Sequence, residues 1–327
     1  MNESTTAIEV KGLKKSFGAV HAVADISFTV EQGEVFGLLG PNGAGKTTTI
    51  NMLTGLARPD AGTFRIKGID CTANLRAAQH LVGVVPDESN LYAELTGFEN
   101  LCFCAALYGL RKPERVARAR ELLETFGLSD AADRKFAGYS KGMKRKLTIA
   151  AGIIHKPDIL FLDEPTTGVD VGSARQLRQI VMNLKKTRTT VLLTTHYIEE
   201  AERLCDRIAF IVEGRIVHTG TVEELLQPVQ ACHSMRIQCS GMPPGIVAAL
   251  RETFADLDFS LLEPELLRVD SGAPVRVGPL VRFLEDAGGE VAEARRLRPS
   301  LEDVFVRVTG LEAKVLRGEK EKKGGRQ

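Results

Sequence analysis

No stretch of this chain approaches the ~18 consecutive apolar residues that cross a bilayer. The longest candidate, Leu101 to Leu110, is far too short. The N-terminus lacks the basic-then-apolar pattern of a secretory leader. The expectation is that the chain is not itself a membrane channel, and that any membrane role runs through a partner. Cysteine is scarce, six in 327 residues, with no CxxC pair. Reduced thiols in a cytosolic protein are therefore expected rather than a disulfide framework. Cys102 and Cys104, one residue apart in an apolar helical stretch, read as core packing, with metal binding as the alternative. Charge of one sign is also missing. The 43 Lys and Arg against 42 Asp and Glu leave a net +1, so no global field draws nucleic acid or anionic lipid.

What is present is an ordinary globular composition, 43% hydrophobic and 26% charged, with length for about two domains. Residues 8–30 read as short strands, Glu34 to Leu39 as a buried strand, and Lys46 to Leu56 as a helix. Thr63 to Ile66 and Val82 to Val85 are further strands. From Glu88 to Gly152 the pattern is helical, with Gly109 as a stop and Pro113 opening the next helix. Strand and helix then alternate. Ile159–Leu162 and Val191–Leu193 are strands, Ser173–Lys185 and Ile198–Leu204 helices, and a hairpin turns at Glu213-Gly214. That alternation predicts a mainly parallel α/β sheet covered on both faces. Composition shifts near Gln227-Pro228. Beyond it the order βαββαβ predicts a small, ferredoxin-like α+β domain over 229–310. Its last helix is capped by Pro299-Ser300 and striped by Leu301, Val304, Phe305 and Val308. Residues 311–327 read as a disordered polar tail, solvated or in weak contact with a membrane surface or RNA.

Gly40, Pro41, Asn42, Gly43, Ala44, Gly45, Lys46 and Thr47 fit GxxxxGK[ST] between a strand and a helix. Gly43 and Gly45 let the backbone wrap close to phosphate oxygens, and the helix N-terminus, with Thr48 in its first turn, adds partial positive charge. ATP is the expected ligand. Lys46 is expected on the β- and γ-phosphates and the Thr47 hydroxyl on Mg2+. Asp163-Glu164 ends the apolar run Ile159–Leu162, and parallel-sheet ligand sites lie at such strand ends. Asp163 suits Mg2+ through a water. Glu164 suits orienting and deprotonating the attacking water, since phosphoryl transfer needs mainly positioning and charge stabilisation. His196 follows another apolar strand, where it can sense a γ-phosphate.

These motifs, in this order, resemble the nucleotide-binding subunit of an ATP-binding cassette (ABC) transporter over residues 8–222. Within Lys15-Ser16-Phe17-Gly18, Phe17 matches the aromatic that stacks on adenine. Ser140-Lys141-Gly142-Met143 resembles the family signature, ahead of a helix read over Lys144–His155. Thr167-Gly168-Val169-Asp170 resembles the D-loop, and His196 the switch histidine. The resemblance implies a RecA-like core, an antiparallel β subdomain, and a helical subdomain at about 88–152, in a cassette spanning 1–226. It also implies a homodimer holding two ATPs head to tail, with Ser140 and Gly142 of one subunit meeting the γ-phosphate of the ATP on the opposite subunit and Asp170 also at the nucleotide. Two positions depart from the pattern. Asp87 stands where the family has the Q-loop glutamine, still offering an oxygen to Mg2+. Lys141 replaces the first signature glycine, with its ammonium directed to the phosphates or to solvent.

Arg298-Pro299-Ser300-Leu301-Glu302-Asp303-Val304-Phe305 resembles the C-terminal extension of ABC-2-type exporters of the drug-resistance and antibiotic-export group. There the ATPase and the permease are separate chains. The implied role is an ATPase, catalytic through Glu164, His196 and Lys46, on the inner face of the cell membrane, driving export through an ABC-2-type permease. No nucleic-acid partner is expected. The rival, a soluble ABC ATPase acting on DNA or ribosomes, would carry a coiled-coil insertion or two cassettes, and the sequence shows neither. A P-loop kinase would need neither signature nor switch histidine.

Overall fold

The computed structural model describes residues 6–230, 233–297 and 300–310. The polar tail and Arg298-Pro299 lie outside the described residues. Two compact units divide the chain near Val222.

In the first unit, β1 (Thr6–Phe17) and β2 (Val20–Glu31) form one long antiparallel hairpin rather than several short strands. Gly18, at φ 59°, makes the turn. Then come β3 (Val35–Leu39), α1 (Lys46–Thr54), β4 (Ala61–Ile66), β5 (Ile69–Asp70), α2 (Cys71–Asn74) and β6 (Val82–Val85). The helical region holds α3 (Gly97–Leu107), α4 (Lys112–Thr125) and α5 (Lys141–Gly152). The chain continues through β7 (Ile159–Asp163), α6 (Val171–Lys186), β8 (Thr190–Thr195), α7 (Ile198–Leu204), β9 (Arg207–Val212) and β10 (Arg215–Thr221).

All ten strands join one sheet, in the order β5-β4-β1-β2-β10-β9-β3-β8-β7-β6. From β9 to β6 the pairing is parallel. Strands β3, β7 and β8 are buried at every residue, as expected where helices cover both faces. The β1, β2, β4, β5 arm is antiparallel, so the sheet is mixed. Parallel register brings the ends of β3, β7 and β8 together. Leu39 faces Thr195, and Asp163 faces Thr194.

One boundary differs in a way that matters. The signature helix begins at Lys141, three residues earlier than the expected Lys144. Ser140 is extended, and its hydroxyl accepts the Met143 N–H at 3.3 Å, which fixes the start. Gly142 is therefore inside the first turn, not in a loop.

The second unit opens with α8 (Val222–Gln230), which runs through Gln227-Pro228. The composition shift expected near Gln227-Pro228 thus falls within a helix, close to its end. There follow β11 (His233–Ser240), α9 (Ile246–Thr253), β12 (Asp258–Glu263), β13 (Leu266–Ser271), α10 (Val277–Asp286), β14 (Glu290–Leu297) and α11 (Leu301–Thr309). The four strands form an antiparallel sheet in the order β12-β13-β11-β14. Met235, Ile237, Leu267 and Val269 pack beneath Leu250 of α9 and Leu280 and Leu284 of α10. In α11, Ser300 and Asp303 form a capping box and Gly310, at φ 67°, closes the helix.

Candidate functional site

The loop after β3 is built to admit an anion. The Gly40 N–H donates to the Thr195 carbonyl at 3.3 Å, tying the loop to the end of β8. Gly45, at φ 102°, sits so close to β2 that a Cβ would lie 2.3 Å from the Ala22 carbonyl oxygen. At Gly43, φ 81°, a Cβ would meet nothing within 4 Å. The α1 N-terminus has no side-chain cap and no acidic residue in its first turn, so its leading N–H groups and partial positive charge suit phosphate. Thr47 is exposed on that turn and Thr48 half-buried.

Lys46 is buried beside this loop. Its ammonium donates to the Gly40 carbonyl at 2.7 Å and the Pro41 carbonyl at 3.1 Å, and pairs with Glu164 Oε1 at 3.2 Å. Glu164 follows β7 at φ 47°, a left-handed backbone that only a tightly held residue adopts. Its N–H donates to Thr194 twice, to the carbonyl at 3.2 Å and to Oγ1 at 3.1 Å. Its Oε2 meets His196 Nδ1 at 2.8 Å and accepts from Thr167 Oγ1 at 2.9 Å. Burial alone would raise this carboxyl. The His196 hydrogen bond and the Lys46 charge outweigh it and hold the group at about 2. Asp163, also buried, accepts the Thr194 hydroxyl on Oδ1.

The structure thus brings Lys46, Glu164 and His196 into mutual contact, with Asp163 held beside them through Thr194. Sequence reading missed Thr194, which hides in an apolar strand. It also missed Glu200, which is 3% exposed and accepts from Thr195 Oγ1 at 2.7 Å. Arg145 is the third residue missed. It is 4% exposed and donates to backbone carbonyls of Pro86, Asp87, Asp163 and Pro165. Its signal was available. It lies three residues past Gly142, on the inward face of α5, within the basic run Lys144-Arg145-Lys146.

Other expected site residues stand apart from this group. Phe17 is 55% exposed at the end of β1, its ring under the Lys15 ammonium at 5.3 Å. Ser140 caps α5. Asp170 caps α6, accepting the Ser173 N–H at 2.9 Å and its hydroxyl at 2.7 Å, and these bonds lower its pKa. Gly142 packs on Ser173, where a Cβ would come within 2.2 Å of the hydroxyl. Lys141 has a third disposition beyond the two considered. Its residue is exposed and its ammonium lies over Gly168 in the D-loop segment, 2.1 Å from where a Cβ would stand. Asp87 is exposed at the loop after β6. Desolvation of its carboxyl comes first in pushing it up, Arg145 opposes, and Asp163 and Glu164 add to the rise.

Among the described residues no three His, Cys, Asp or Glu side chains gather around a metal site. A hydroxyl and one carboxylate, Thr47 and Asp163, are nonetheless a donor set suited to Mg2+ that rides mainly on substrate phosphates.

Residues 23–167 match the sequence model of the family described as ABC transporter. The chain is 37% identical over 306 residues to the linearmycin resistance ATP-binding protein LnrL of Bacillus subtilis, covering 93% of this chain and 98% of that protein. The chain belongs to the ABC transporter ATP-binding proteins. Similarity to the doxorubicin resistance ATP-binding protein DrrA of Mycobacterium tuberculosis is 38% identity over 316 residues, 94% of this chain and 95% of the other. Among solved structures, an ATP-binding subunit of an ABC transporter superposes with a TM-score of 0.62 at 33% identity, over 68% of this chain and 93% of that one. The ATP-binding cassette MJ0796, as a dimer in a post-hydrolysis state with ADP and Pi, gives a TM-score of 0.61 at 25% identity, over 65% and 98%. As an ABC ATPase, the chain binds ATP and hydrolyses it to power transport.

Proposed function

We propose that this chain is the ATPase of an ABC-2-type exporter, working as a homodimer on a separate integral-membrane permease. The observation that carries the reading is the contact of Lys46, Glu164 and His196 at the mouth of an uncapped helix N-terminus. The relatives' names add linearmycin and doxorubicin resistance, and others name export, among them the Nod factor export ATP-binding protein I of Burkholderia orbicola. Cargo selection lies with the permease. Among the described residues no helix is long and apolar enough to cross a membrane, which suits a peripheral subunit on the inner face.

The roles follow from position. The backbone of residues 40–47 and the α1 N-terminus hold the phosphates, with Lys46 on the β- and γ-oxygens. Thr47 and Asp163 would hold Mg2+, which neutralises phosphate charge, and Asp87 lines the same side. Glu164 orients the attacking water and takes its proton. To do so it gives up Lys46, whose charge is then shared with phosphate, and that release frees its basicity. His196 stays on Glu164 and reaches toward the γ-phosphate. Phe17 offers its exposed ring to the adenine. The signature segment, with Ser140 and Gly142 at the N-terminus of α5, faces the ATP of the second subunit, and Asp170 lies beside it on α6. A twofold sandwich of this kind has an isologous interface.

Residues 1–226 form the cassette in this reading, with the helical subdomain at about 88–152. Residues 229–310 form an accessory domain of ferredoxin-like type. Its βαββαβ order and the strand order β12-β13-β11-β14 support that type. The decisive experiment is affinity purification of the chain from detergent extracts of its own cells. A polytopic membrane protein in the eluate is expected. Ribosomes or DNA instead would favour a soluble ABC ATPase and sink the exporter reading.

A further inference from the structure

Strands β6 and β7 are parallel neighbours, paired as far as Val85 and Leu162. Beyond that point the two strands no longer pair with each other: β6 ends at Val85, while β7 keeps β8 as a neighbour for one more residue, Asp163. One side chain replaces the ladder. Arg145 Nη1 donates to the carbonyls of Pro86 and, at 3.0 Å, Asp87 on the β6 exit. Its Nε donates to the Pro165 carbonyl at 2.9 Å, and its Nη2 to the Asp163 carbonyl, on the β7 exit. A guanidinium has five N–H groups in a fixed planar fork. Here they bracket Glu164, whose two chain neighbours both supply the accepting oxygens.

We propose that Arg145 is a positioning residue for hydrolysis, holding the Asp87 loop and the signature helix α5 in register with Glu164. It touches neither phosphate nor water. Its effect passes through the backbone on either side of the general base. The Glu164 backbone is left-handed, a strained conformation that its bonds to Thr194 and Thr167 hold from one side and the Arg145 bonds to its two neighbours hold from the other. A shift of the Asp87 loop, or of α5, is transmitted through one rigid planar group to the atom that must meet the water. Near-attack geometry is steep in distance, about 10²-fold in rate for a displacement of about 1 Å. Lysine cannot substitute. Its ammonium is a point donor on a flexible stem and cannot span both exits. Phosphate binding should be spared, since the Arg145 hydrogen bonds run to the carbonyls of Pro86, Asp87, Asp163 and Pro165 and not to the 40–47 loop.

The inference rests on Glu164 being the general base, so the test carries Glu164→Gln as its own control. Full-length parent, Arg145→Lys, Arg145→Ala and Glu164→Gln are compared for ATP affinity, kcat, KM and thermal melting. Both Arg145 variants should keep parent-like ATP affinity and KM and lose about 10- to 100-fold in kcat. Methylguanidinium, below denaturing concentration, should restore part of the Arg145→Ala rate and leave the parent unaffected. Parent-like kcat in either folded variant, a KM rise that accounts for the loss, or no recovery with methylguanidinium would each overturn the proposal. So would the failure of both variants to fold, which would make Arg145 a structural post. If Glu164→Gln alone keeps its turnover, the general-base assignment fails whatever the Arg145 variants do.

Discussion

Replacing Glu164 by glutamine should produce two separate losses, one in turnover and one in acid-sensitive stability. The carboxyl is held at about 2 against an ordinary 4.5. At about 1.4 kcal/mol for each tenfold change in acidity, that is about 3 kcal/mol in favour of the ionised form. The side chain is only 9% exposed, so little of this is lost to solvent screening. Because the folded pKa lies below the unfolded one, the contribution is complete above about 4.5 and disappears as pH falls toward about 2. Glu164→Gln removes it. Urea unfolding of the nucleotide-free protein should therefore show a parent-minus-variant difference of about 3 kcal/mol near neutrality that shrinks steadily on acidification. A difference that stays flat across that range would refute the Lys46–Glu164–His196 pairing as the source of the lowered pKa. Turnover should fall ~10²–10⁴-fold, because the amide cannot take the water's proton. ATP binding should persist, and the unhydrolysed dimer should accumulate with ATP and Mg2+. Near-normal ATPase activity would remove Glu164 from the mechanism.

Ser140→Arg should abolish hydrolysis while dilute monomer binds ATP normally in equilibrium titration, with about 1 kcal/mol lost from the α5 cap. A large fall in monomer affinity would place the signature on its own subunit's nucleotide. Gly142 is a poorer probe, since a Cβ there already strikes Ser173 at 2.2 Å within the same chain. Asp87→Asn should shift the Mg2+ dependence of ATPase activity, and superimposable titrations would leave the side chain no part in the metal site. Truncation after Gln230, past the end of α8, should leave a folded core that binds ATP. Insoluble protein would mean that the core needs residues 233–310.

The order of elements was legible because its signals are local. The β3–loop–α1 unit is written in a continuous apolar run, a glycine-rich turn and a lysine. Capping chemistry ended α11 correctly, with Ser300 and Gly310 at its two ends. The errors came where one local signal outweighed another. Gly142 looked like a loop residue, yet the Ser140 hydroxyl had already started the helix. The composition shift at Gln227-Pro228 marked a change of domain, yet α8 runs through it to Gln230. Strand pairing was the harder matter. Nothing in the run from Thr6 to Glu31 says that two long strands with several register shifts extend the parallel core into a mixed sheet.

The site divides along the same physical line. Charged side chains at strand ends announce themselves by residue type, as Asp163, Glu164 and His196 do. Groups that act through backbone carbonyls do not, because the accepting residues can be anything. Pro86 and Pro165 contribute only a carbonyl oxygen to Arg145, and no pattern of side chains could mark them. The same holds for Thr194, which holds the Asp163 carboxylate with its hydroxyl and the Glu164 N–H with both its oxygens while lying in a strand buried at every residue. Buried polar groups are retained only where their hydrogen bonds are satisfied, so a threonine or arginine among apolar neighbours has partners that spacing cannot name. The candidate site residues could thus be named one by one, whereas the surroundings of Glu164 depend on contacts between β6, β7, β8 and α5 that exist only once the sheet has formed.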